Sequence, residues 1–479
     1  MTIRKGDYVM ISFKKYIGTR EFYRKVILLT LPILAQNAIT NFTSLLDNVM
    51  VGRLGTEQMS GVSIVNQLFF VFNLALFGMV SGTGLFGAQS HGKGDNDGVR
   101  YSFRFGCYAA LPILALAFAL FLGMGDKLIS LYLHEGSETG DLALTLKYAK
   151  DYLSIALYGL IPYTFSQIYA GSLRSVGRTV SPMVSGIIGF FVNVVLNAVL
   201  IFGAFGIPAL GVRGASIATV IARIAECLFL VIYTHSNSKA IPFIRGAFSS
   251  FYIPTALARQ ILIKGMPLLV NEGIFALGQS MLIQSYSLRG LANVSAMNIT
   301  STLYDSFSVL FASAGAAIAI ILGHILGSND IERAKREADK LCAFALFAGV
   351  ISCAFLAVLA PFFPLIYNTT DEVRSLATAF ILVRAFSSPF YGYIHGSYFT
   401  VRSGGKTVAT FFFDSGFLFL VKVPLSYLLV LCTSMPILWV FITVSATLII
   451  KSVIGWAMVK HGTWAINLTD EKQPIHEKA

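Results

Sequence analysis

The sequence predicts an all-α integral membrane protein with twelve transmembrane helices in two six-helix lobes. Three observations support this prediction: the composition, the spacing of apolar segments and an internal repeat. The 479 residues are 55% hydrophobic and 13% charged, with a mean hydropathy of +0.71. This leaves too little polar surface for a soluble globule of that length.

Apolar stretches long enough to cross a bilayer recur along the whole chain, since a spanning helix takes about 20 residues. They lie near residues 26–50, 60–86, 103–124, 144–166, 180–204, 212–234, 260–287, 293–324, 341–363, 375–397, 407–431 and 436–458. The first 25 residues are basic and have no apolar core followed by a cleavage site, so we expect a retained cytosolic arm.

The two halves of the chain repeat each other. Residues 30–55 return as residues 265–290, which places Pro32 over Pro267 at an offset of 235 (267 − 32). The motif RSVGRT at Arg174 meets RSGGKT at Arg402 at an offset of 228 (402 − 174). Repeats in membrane proteins of this size are typical of transporters, whose substrate site lies near the bilayer midplane.

The repeat and the polar breaks predict five segments. They are a cytosolic arm (1–25), an amino-terminal lobe (26–234), a cytosolic linker (235–259), a carboxy-terminal lobe (260–458) and a cytosolic tail (459–479). Six helices per copy give both lobes the same orientation, so we expect a pseudo-twofold axis along the membrane normal.

The net charge of +12 follows the predicted topology. Lys and Arg concentrate in the segments on the side of the amino terminus, as expected when positive loops stay in the cytosol. We therefore interpret the basic balance as topology and not as nucleic-acid binding. The predicted location is the cell membrane, inner or plasma, with both termini in the cytoplasm.

A polar stripe runs along the first helix. Gln36, Thr40, Thr43 and Asp47 share one face, with Asn37 in the adjoining row. Polar groups facing lipid would be unsatisfied, so the stripe should line a cavity or a protein contact. Asp47 is its only carboxylate, and an ionisable group at membrane depth is a functional candidate. The alternative is an aspartate solvated at the outer helix end or paired with Arg53.

The fifth predicted helix offers partners for Asp47. Asn193 and Asn197 lie on one face with Gly186 and Gly189. The amides could hydrogen-bond Asp47, and Asp47 with Asn193 could supply oxygen ligands to Na⁺. Amides also join helices without a transport role, so both interpretations stay open. Arg223 and Glu226 in the sixth helix are predicted to form a self-contained i, i+3 pair.

The second lobe holds both signs of charge. The predicted ion-coupling candidate is Glu272, and its predicted cavity-lining residues are Asn271, Gln279, Tyr286, Arg384 and Tyr391. For Asp305, Asp414 and Lys422 we expect internal ion pairing. Pairing of Glu272 with Arg384 is the alternative to a coupling role.

Several motifs together resemble the prokaryotic multidrug and toxic compound extrusion (MATE) family. They are PILAQNAITNFTSLLDNVMVGRLG, MPLLVNEGIFALGQSMLIQSYSLRG, RSVGRT, GVRGASIATVIAR and RSGGKT, and the match runs from about residue 24 to residue 458. The resemblance implies a V-shaped pair of lobes around a central cleft. It also implies an antiporter that exports organic, often cationic, compounds against an inward flow of H⁺ or Na⁺.

The resemblance also bears on single residues. Asp47 matches the family's first-helix aspartate, and Glu272 matches a seventh-helix glutamate found in part of the family. Asn197 stands where some members have a second carboxylate, and Arg384 lies in the helix where some sodium-coupled members have an acid. Both departures weaken a sodium site of paired carboxylates and leave the coupling ion open.

Two other functions, a flippase and a membrane enzyme, fit the sequence less well. A lipid-linked oligosaccharide flippase of the wider superfamily would need a strongly cationic cleft, whereas the cations here are balanced by acids. A membrane enzyme would need a catalytic constellation, and His395 with Tyr391 has no accompanying nucleophile motif. We therefore expect a transporter and not an enzyme, with no cofactor beyond the coupling ion. Its expected partners are a small organic substrate and the lipid bilayer, with no obligate protein partner.

Overall fold

Helices account for every regular element in the computed structural model, which describes residues 15–133, 141–204 and 206–470. Residues 1–14 of the predicted arm and 471–479 of the predicted tail lie outside the described residues. The α-helices are α1 (Arg20–Gly52), α2 (Thr56–Lys93), α3 (Asn96–Ser130), α4 (Leu142–Ala156), α5 (Leu160–Ser175), α6 (Val180–Phe202), α7 (Val212–Ser236), α8 (Thr255–Ser287), α9 (Leu291–Gly327), α10 (Ile331–Leu359), α11 (Asp371–Ser403), α12 (Thr407–Phe411), α13 (Val423–Cys432) and α14 (Ile437–His461).

The predicted all-α membrane fold is confirmed. Within the described ranges, ten helical segments are long and apolar enough to cross a membrane, with residues 407–432 counted as one segment. The other two predicted spans coincide with further helical segments. One comprises α4 and α5, which a 3₁₀ turn at Leu157–Gly159 joins, and the other is α11, which carries Arg384 near its middle.

Side chains cap several helices where the chain re-enters a helical segment. Asp141 Oδ1 accepts hydrogen bonds from the backbone N–H groups of Ala143 (2.9 Å) and Leu144 (3.1 Å) at the start of α4. Asp330 does the same for Arg333 at the start of α10 (3.1 Å). Such caps satisfy N–H groups that have no partner inside the helix and so fix where these helices begin.

The segment between α12 and α13 is π-helical. Phe412–Gly416 and Leu418–Lys422 have the wider i→i+5 turn, and they include Asp414 and Lys422. Short π-helical segments inside α-helices are frequently found at functional sites. Here the wider turn sets the direction of two charged side chains in the middle of a spanning segment.

The chain forms two compact units. The amino-terminal unit comprises Ala35–Gly87 and Asn96–Leu269, and the carboxy-terminal unit comprises residues up to Leu34, Ala88–Asp95 and the chain from Val270 onward. Helices α1, α2 and α8 are thus each shared between the units, and in α1 and α8 the division falls close to the repeat-related Pro32 and Pro267. The lobe boundaries predicted from the repeat remain predictions, because these units group residues by contact.

Each unit has its own apolar core, and small residues bring helices into close contact in the carboxy-terminal unit. A Cβ added to Gly349 on α10 would lie 2.4 Å from the carbonyl oxygen of Ser388. A Cβ added to Gly392 on α11 would lie 2.3 Å from the carbonyl oxygen of Ala345. Helices α10 and α11 therefore pack backbone against backbone, as is typical of small residues at membrane helix interfaces.

Candidate functional site

Three predicted site residues of the amino-terminal unit meet between α1 and α6. Asn197 Nδ2 donates a hydrogen bond to Asp47 Oδ1 (2.5 Å) and another to Asn193 Oδ1 (3.0 Å). Asn193 and Asn197 are buried, with exposed fractions of 3% and 1%, while Asp47 is half-buried. The polar faces that the sequence placed on separate helices thus form one hydrogen-bonded group.

This group borders a cavity with about 430 Å³ of empty space. Its lining comprises Ile39, Thr40, Thr43, Ser44, Asp47, Gly186, Gly189, Asn193, Thr219, Ala222, Arg223 and Glu226. The lining therefore includes the predicted residues Thr40, Thr43, Asp47 and Asn193.

The hydroxyl groups of α1 present acceptors to this cavity. Thr40 donates its proton to the carbonyl oxygen of Gln36 (3.0 Å), and Thr43 donates to that of Ile39 (2.8 Å). Ser44 donates to the carbonyl oxygen of Thr40 (3.2 Å). A hydroxyl has one proton and two lone pairs, so these side chains keep only acceptor capacity for a ligand. Together with the Asp47 carboxylate they favour a cation.

An ion pair on α7 lines the same cavity. Arg223 Nη1 lies 3.1 Å from Glu226 Oε2, which confirms the predicted i, i+3 pair. The Arg223 guanidinium also lies over the Tyr163 ring, 4.7 Å from its centroid. Because Glu226 offsets the charge of Arg223, the cavity lining has a net negative charge when Asp47 is ionised.

Gly189 makes room for this ion pair. A Cβ at this position would lie 2.0 Å from Glu226 Oε1. At Gly186, one turn earlier on α6, the nearest atom to an added Cβ is Gln36 Cγ at 3.7 Å, an ordinary contact. The glycine at 189 is thus required by the position of the carboxylate.

The remaining predicted residues of α1 lie outside the lining of this cavity. Gln36 Oε1 accepts a hydrogen bond from Arg174 Nη1 (3.5 Å), the first residue of the RSVGRT motif. Asn37 follows Gln36 and is half-buried. Neither of these two predicted cavity residues is therefore part of the cavity lining.

In the carboxy-terminal unit, Asn271 belongs to a polar network with the π-helical segment. Its Nδ2 donates to Asp414 Oδ2 (3.3 Å), and its Oδ1 accepts from Ser415 Oγ (2.7 Å). Asp414 Oδ1 lies 2.7 Å from Lys451 Nζ on α14. Glu272, the next residue on α8, is half-buried and belongs to this unit. The expected ion pairing of Asp414 is thus realised with a lysine that the sequence analysis did not single out.

Four predicted cavity residues of this unit line a second cavity with about 470 Å³ of empty space. They are Gln279, Tyr286, Arg384 and Tyr391, and Lys422 lies beside them. Arg384 Nη1 and Lys422 Nζ both donate to Tyr391 Oη, at 3.0 Å and 3.2 Å. The expected ion pairing of Lys422 is wrong, because the nearest hydrogen-bonding group in the described residues is this phenol. Asp305 is exposed and forms no described ion pair either.

The internal repeat identifies Lys451 as the counterpart of Arg223. The offset of 228 between the two RS motifs also carries Arg223 onto Lys451 (451 − 223 = 228). Each cation binds a carboxylate within its own unit, Glu226 in one and Asp414 in the other. An equivalent cation is therefore retained in both copies, although its acidic partner comes from a different helix in each.

Known proteins resemble this chain in sequence and in fold. The MatE family model matches residues 32–199 and 267–428. The protein named "Probable multidrug resistance protein NorM" from Thermotoga maritima is 24% identical over 464 residues, covering 94% of this chain and 96% of that protein. The multidrug resistance protein MdtK from Pectobacterium atrosepticum is 24% identical over 368 residues, covering 76% of this chain and 78% of that protein.

A similar fold occurs among solved structures. The Vibrio cholerae MATE transporter VcmN in its bent form superposes with a TM-score of 0.80 at 17% identity. The alignment covers 92% of this chain and 97% of that one. The two matched segments of the family model coincide with the two copies of the repeat, so sequence and fold point to the same group of proteins.

Proposed function

We propose that this chain, which belongs to the MATE family of multidrug efflux transporters, exports organic cations in exchange for inward H⁺ or Na⁺ at Asp47. The observation that carries this proposal is the bond from Asn197 Nδ2 to Asp47 Oδ1 at the edge of the amino-terminal cavity. An ionised carboxylate without a partner costs free energy in the membrane. Asp47 is therefore suited to bind one cation whenever it releases another.

The chemistry of the lining supports competition between cations. The hydroxyl oxygens of Thr40 and Thr43 accept and do not donate into the cavity. Oxygen atoms of carboxylates, amides and hydroxyls suit hard metal cations, and Asp47 with Asn193 would supply such ligands to Na⁺. A proton on Asp47 would remove the same negative charge. Either ion would weaken the binding of an organic cation.

Exchange follows if the two access states differ in affinity. A ligand shifts a conformational equilibrium only by its differential affinity for the two states. We expect the coupling ion to enter Asp47 from outside and the organic cation to enter from the cytosol. Because one negative group serves both, loading of one ion releases the other.

The composition of α6 bears on the identity of the ion. Asn193 and Asn197 surround Asp47 with amides, and the described lining holds one further carboxylate, Glu226, which is paired with Arg223. A site with one unpaired carboxylate suits a single proton at least as well as Na⁺. The flippase alternative is not favoured, since the relatives named above are multidrug resistance proteins.

Efflux from proteoliposomes tests this function. Ethidium efflux by the wild-type protein is measured under an imposed proton gradient and under an imposed sodium gradient, and compared with Asp47→Asn. Asp126→Asn is the matched control, because Asp126 is an exposed carboxylate near the end of α3 outside both cavities. We expect efflux under one gradient, its loss in Asp47→Asn and its retention in Asp126→Asn. Wild-type rates from Asp47→Asn would contradict it.

A further inference from the structure

Two basic side chains donate to one phenol oxygen in the carboxy-terminal cavity. Arg384 Nη1 and Lys422 Nζ donate to Tyr391 Oη at 3.0 Å and 3.2 Å. The two nitrogen atoms can therefore be no more than about 6 Å apart, a distance at which like charges repel strongly in a poorly solvated site. Lys422 is buried, with 7% of its surface exposed.

No carboxylate of the described residues lies within ion-pair distance of these two side chains. The lining of the cavity contains neither Asp nor Glu. Asp414 is engaged by Lys451 at 2.7 Å, and neither Arg384 nor Lys422 has an acidic oxygen within ion-pair distance in the described part of the chain. Buried charges in proteins are normally paired, so a bound anion would offset the charge of Arg384 and Lys422.

The repeat shows that the two units differ at this point. The offset of 235 carries Asp47 onto Leu282 (282 − 47), and Leu282 lines the carboxy-terminal cavity. The amino-terminal cavity thus holds an ionisable acid where the carboxy-terminal cavity holds an apolar side chain. The two cavities have opposite charge preferences.

We propose that the carboxy-terminal cavity binds the carboxylate of an aromatic acid between Arg384 and Lys422. Both lone pairs of Tyr391 Oη already accept hydrogen bonds, so the phenol proton is available to the bound carboxylate. Arg384 and Lys422 supply further charged donors. The inference rests on the proposed transport function and deepens it, because it assigns the protein a class of acidic or zwitterionic substrates.

The walls of the cavity favour an aromatic body on this acid. The Arg384 guanidinium lies 5.1 Å from the Tyr304 ring centroid and 5.3 Å from that of Phe441, which holds its plane in place. Tyr286 and Phe441 meet edge to face at 5.8 Å and line the same space. Flat apolar walls around two fixed cations match a ring that carries one carboxylate.

Calorimetric titration of 2-naphthoate into the full-length protein in lipid nanodiscs tests the inference. The neutral isostere 2-naphthamide is titrated in parallel, with empty nanodiscs as the blank. We expect binding of the carboxylate and at least about tenfold weaker binding of the amide, since charged hydrogen bonds carry the recognition. Equal affinity of the two compounds would overturn the proposal, and so would the absence of naphthoate binding.

Variants locate the bound acid. Lys422→Gln and Arg384→Gln should each weaken naphthoate binding by about tenfold or more, whereas Lys422→Arg should retain it. Lys335→Gln, at an exposed lysine on α10, should bind naphthoate like the wild type. Unchanged binding in both charge-removing variants would refute the assignment. Ethidium efflux measured on the same wild-type preparation separates the two proposals, because efflux without naphthoate binding defeats only this one.

Discussion

Asn197 on α6 donates a 2.5 Å hydrogen bond to Oδ1 of Asp47 on α1. The amide thereby holds the carboxylate in one orientation at the edge of the amino-terminal cavity. It also accounts for the presence of Asn at this position, because an amide can donate to a carboxylate whereas a second ionised acid cannot. The pair is the structural centre of the proposed coupling site.

Removal of this donor should impair transport without removing the negative charge. Hydrogen bonds to charged groups contribute about 1.5–3 kcal/mol, so we expect Asn197→Ala to lower ethidium efflux by roughly tenfold to a hundredfold. The measurement is the initial efflux rate from proteoliposomes at matched protein density. Asn237→Ala, at an exposed amide just after α7, is the control and should behave like the wild type. A wild-type rate from Asn197→Ala would show that the bond is incidental.

Gly189 should tolerate no side chain. A methyl group at this position would meet Glu226 Oε1 at 2.0 Å and displace it from Arg223. Overpacking of this kind costs about 1–3 kcal/mol, so Gly189→Ala should lower the thermal unfolding midpoint of the purified protein. Gly186→Ala is the matched control on the same helix, since its nearest neighbour lies at 3.7 Å. Equal midpoints for the two variants would contradict the packing described here.

The ion pair between the buried Lys451 and the half-buried Asp414 should contribute more to stability than any surface pair. Removal of one partner from a buried ion pair costs about 3–5 kcal/mol, because the other charge is left unpaired. We expect Lys451→Gln to destabilise the protein by about this amount, and a second change, Asp414→Asn, to restore much of the loss.

Lys335 and Glu332 provide the comparison for that prediction. Their side chains are 41% and 73% exposed, and they form an i, i+3 pair at 2.9 Å. Exposed pairs contribute about 0–1 kcal/mol, so Lys335→Gln should leave the unfolding midpoint almost unchanged. If the double variant of Lys451 and Asp414 is no more stable than Lys451→Gln alone, the two residues do not act as a pair.

Close packing between α10 and α11 makes a further prediction about stability. Gly349→Ala would place a methyl group 2.4 Å from the carbonyl oxygen of Ser388, which is backbone and cannot rotate away. We expect a clear fall in the unfolding midpoint. Gly273→Ala within α8 has no atom within 4 Å of the added methyl group, so it should be neutral or stabilising. A fall of the same size in both variants would assign the effect to the loss of glycine itself.

Sequence patterns predicted the elements of the amino-terminal site well. The spacing of polar residues on α1 and α6 follows the α-helical period, so it places Asp47 on one polar face and Asn193 and Asn197 on another, and these faces meet in the structure. Apolar stretches and the repeat likewise predicted the helical membrane fold. Helical period and composition are properties of short stretches of sequence. The polar faces of α1 and α6 and the membrane-spanning helices depend on these properties, so both could be predicted.

The ion pairing around the carboxy-terminal cavity was harder to predict than its lining. Asp414 and Lys422 lie in π-helical turns, whose extra residue per turn rotates them away from the face that an α-helical period assigns. The choice of partner also depends on distances between helices, which charge signs in a sequence do not contain. Asp414 therefore binds Lys451, while Lys422 and Arg384 share the Tyr391 hydroxyl.

Ion release upon substrate binding tests the central claim most directly. Tetraphenylphosphonium is added to the purified protein in weakly buffered, sodium-free solution and then with Na⁺ present, and the change in free proton and sodium concentration is recorded. We predict that the wild-type protein releases one of these ions as the organic cation binds, and that Asp47→Asn releases neither. Release of the same ion, in the same amount, from Asp47→Asn would show that Asp47 is not the site of exchange.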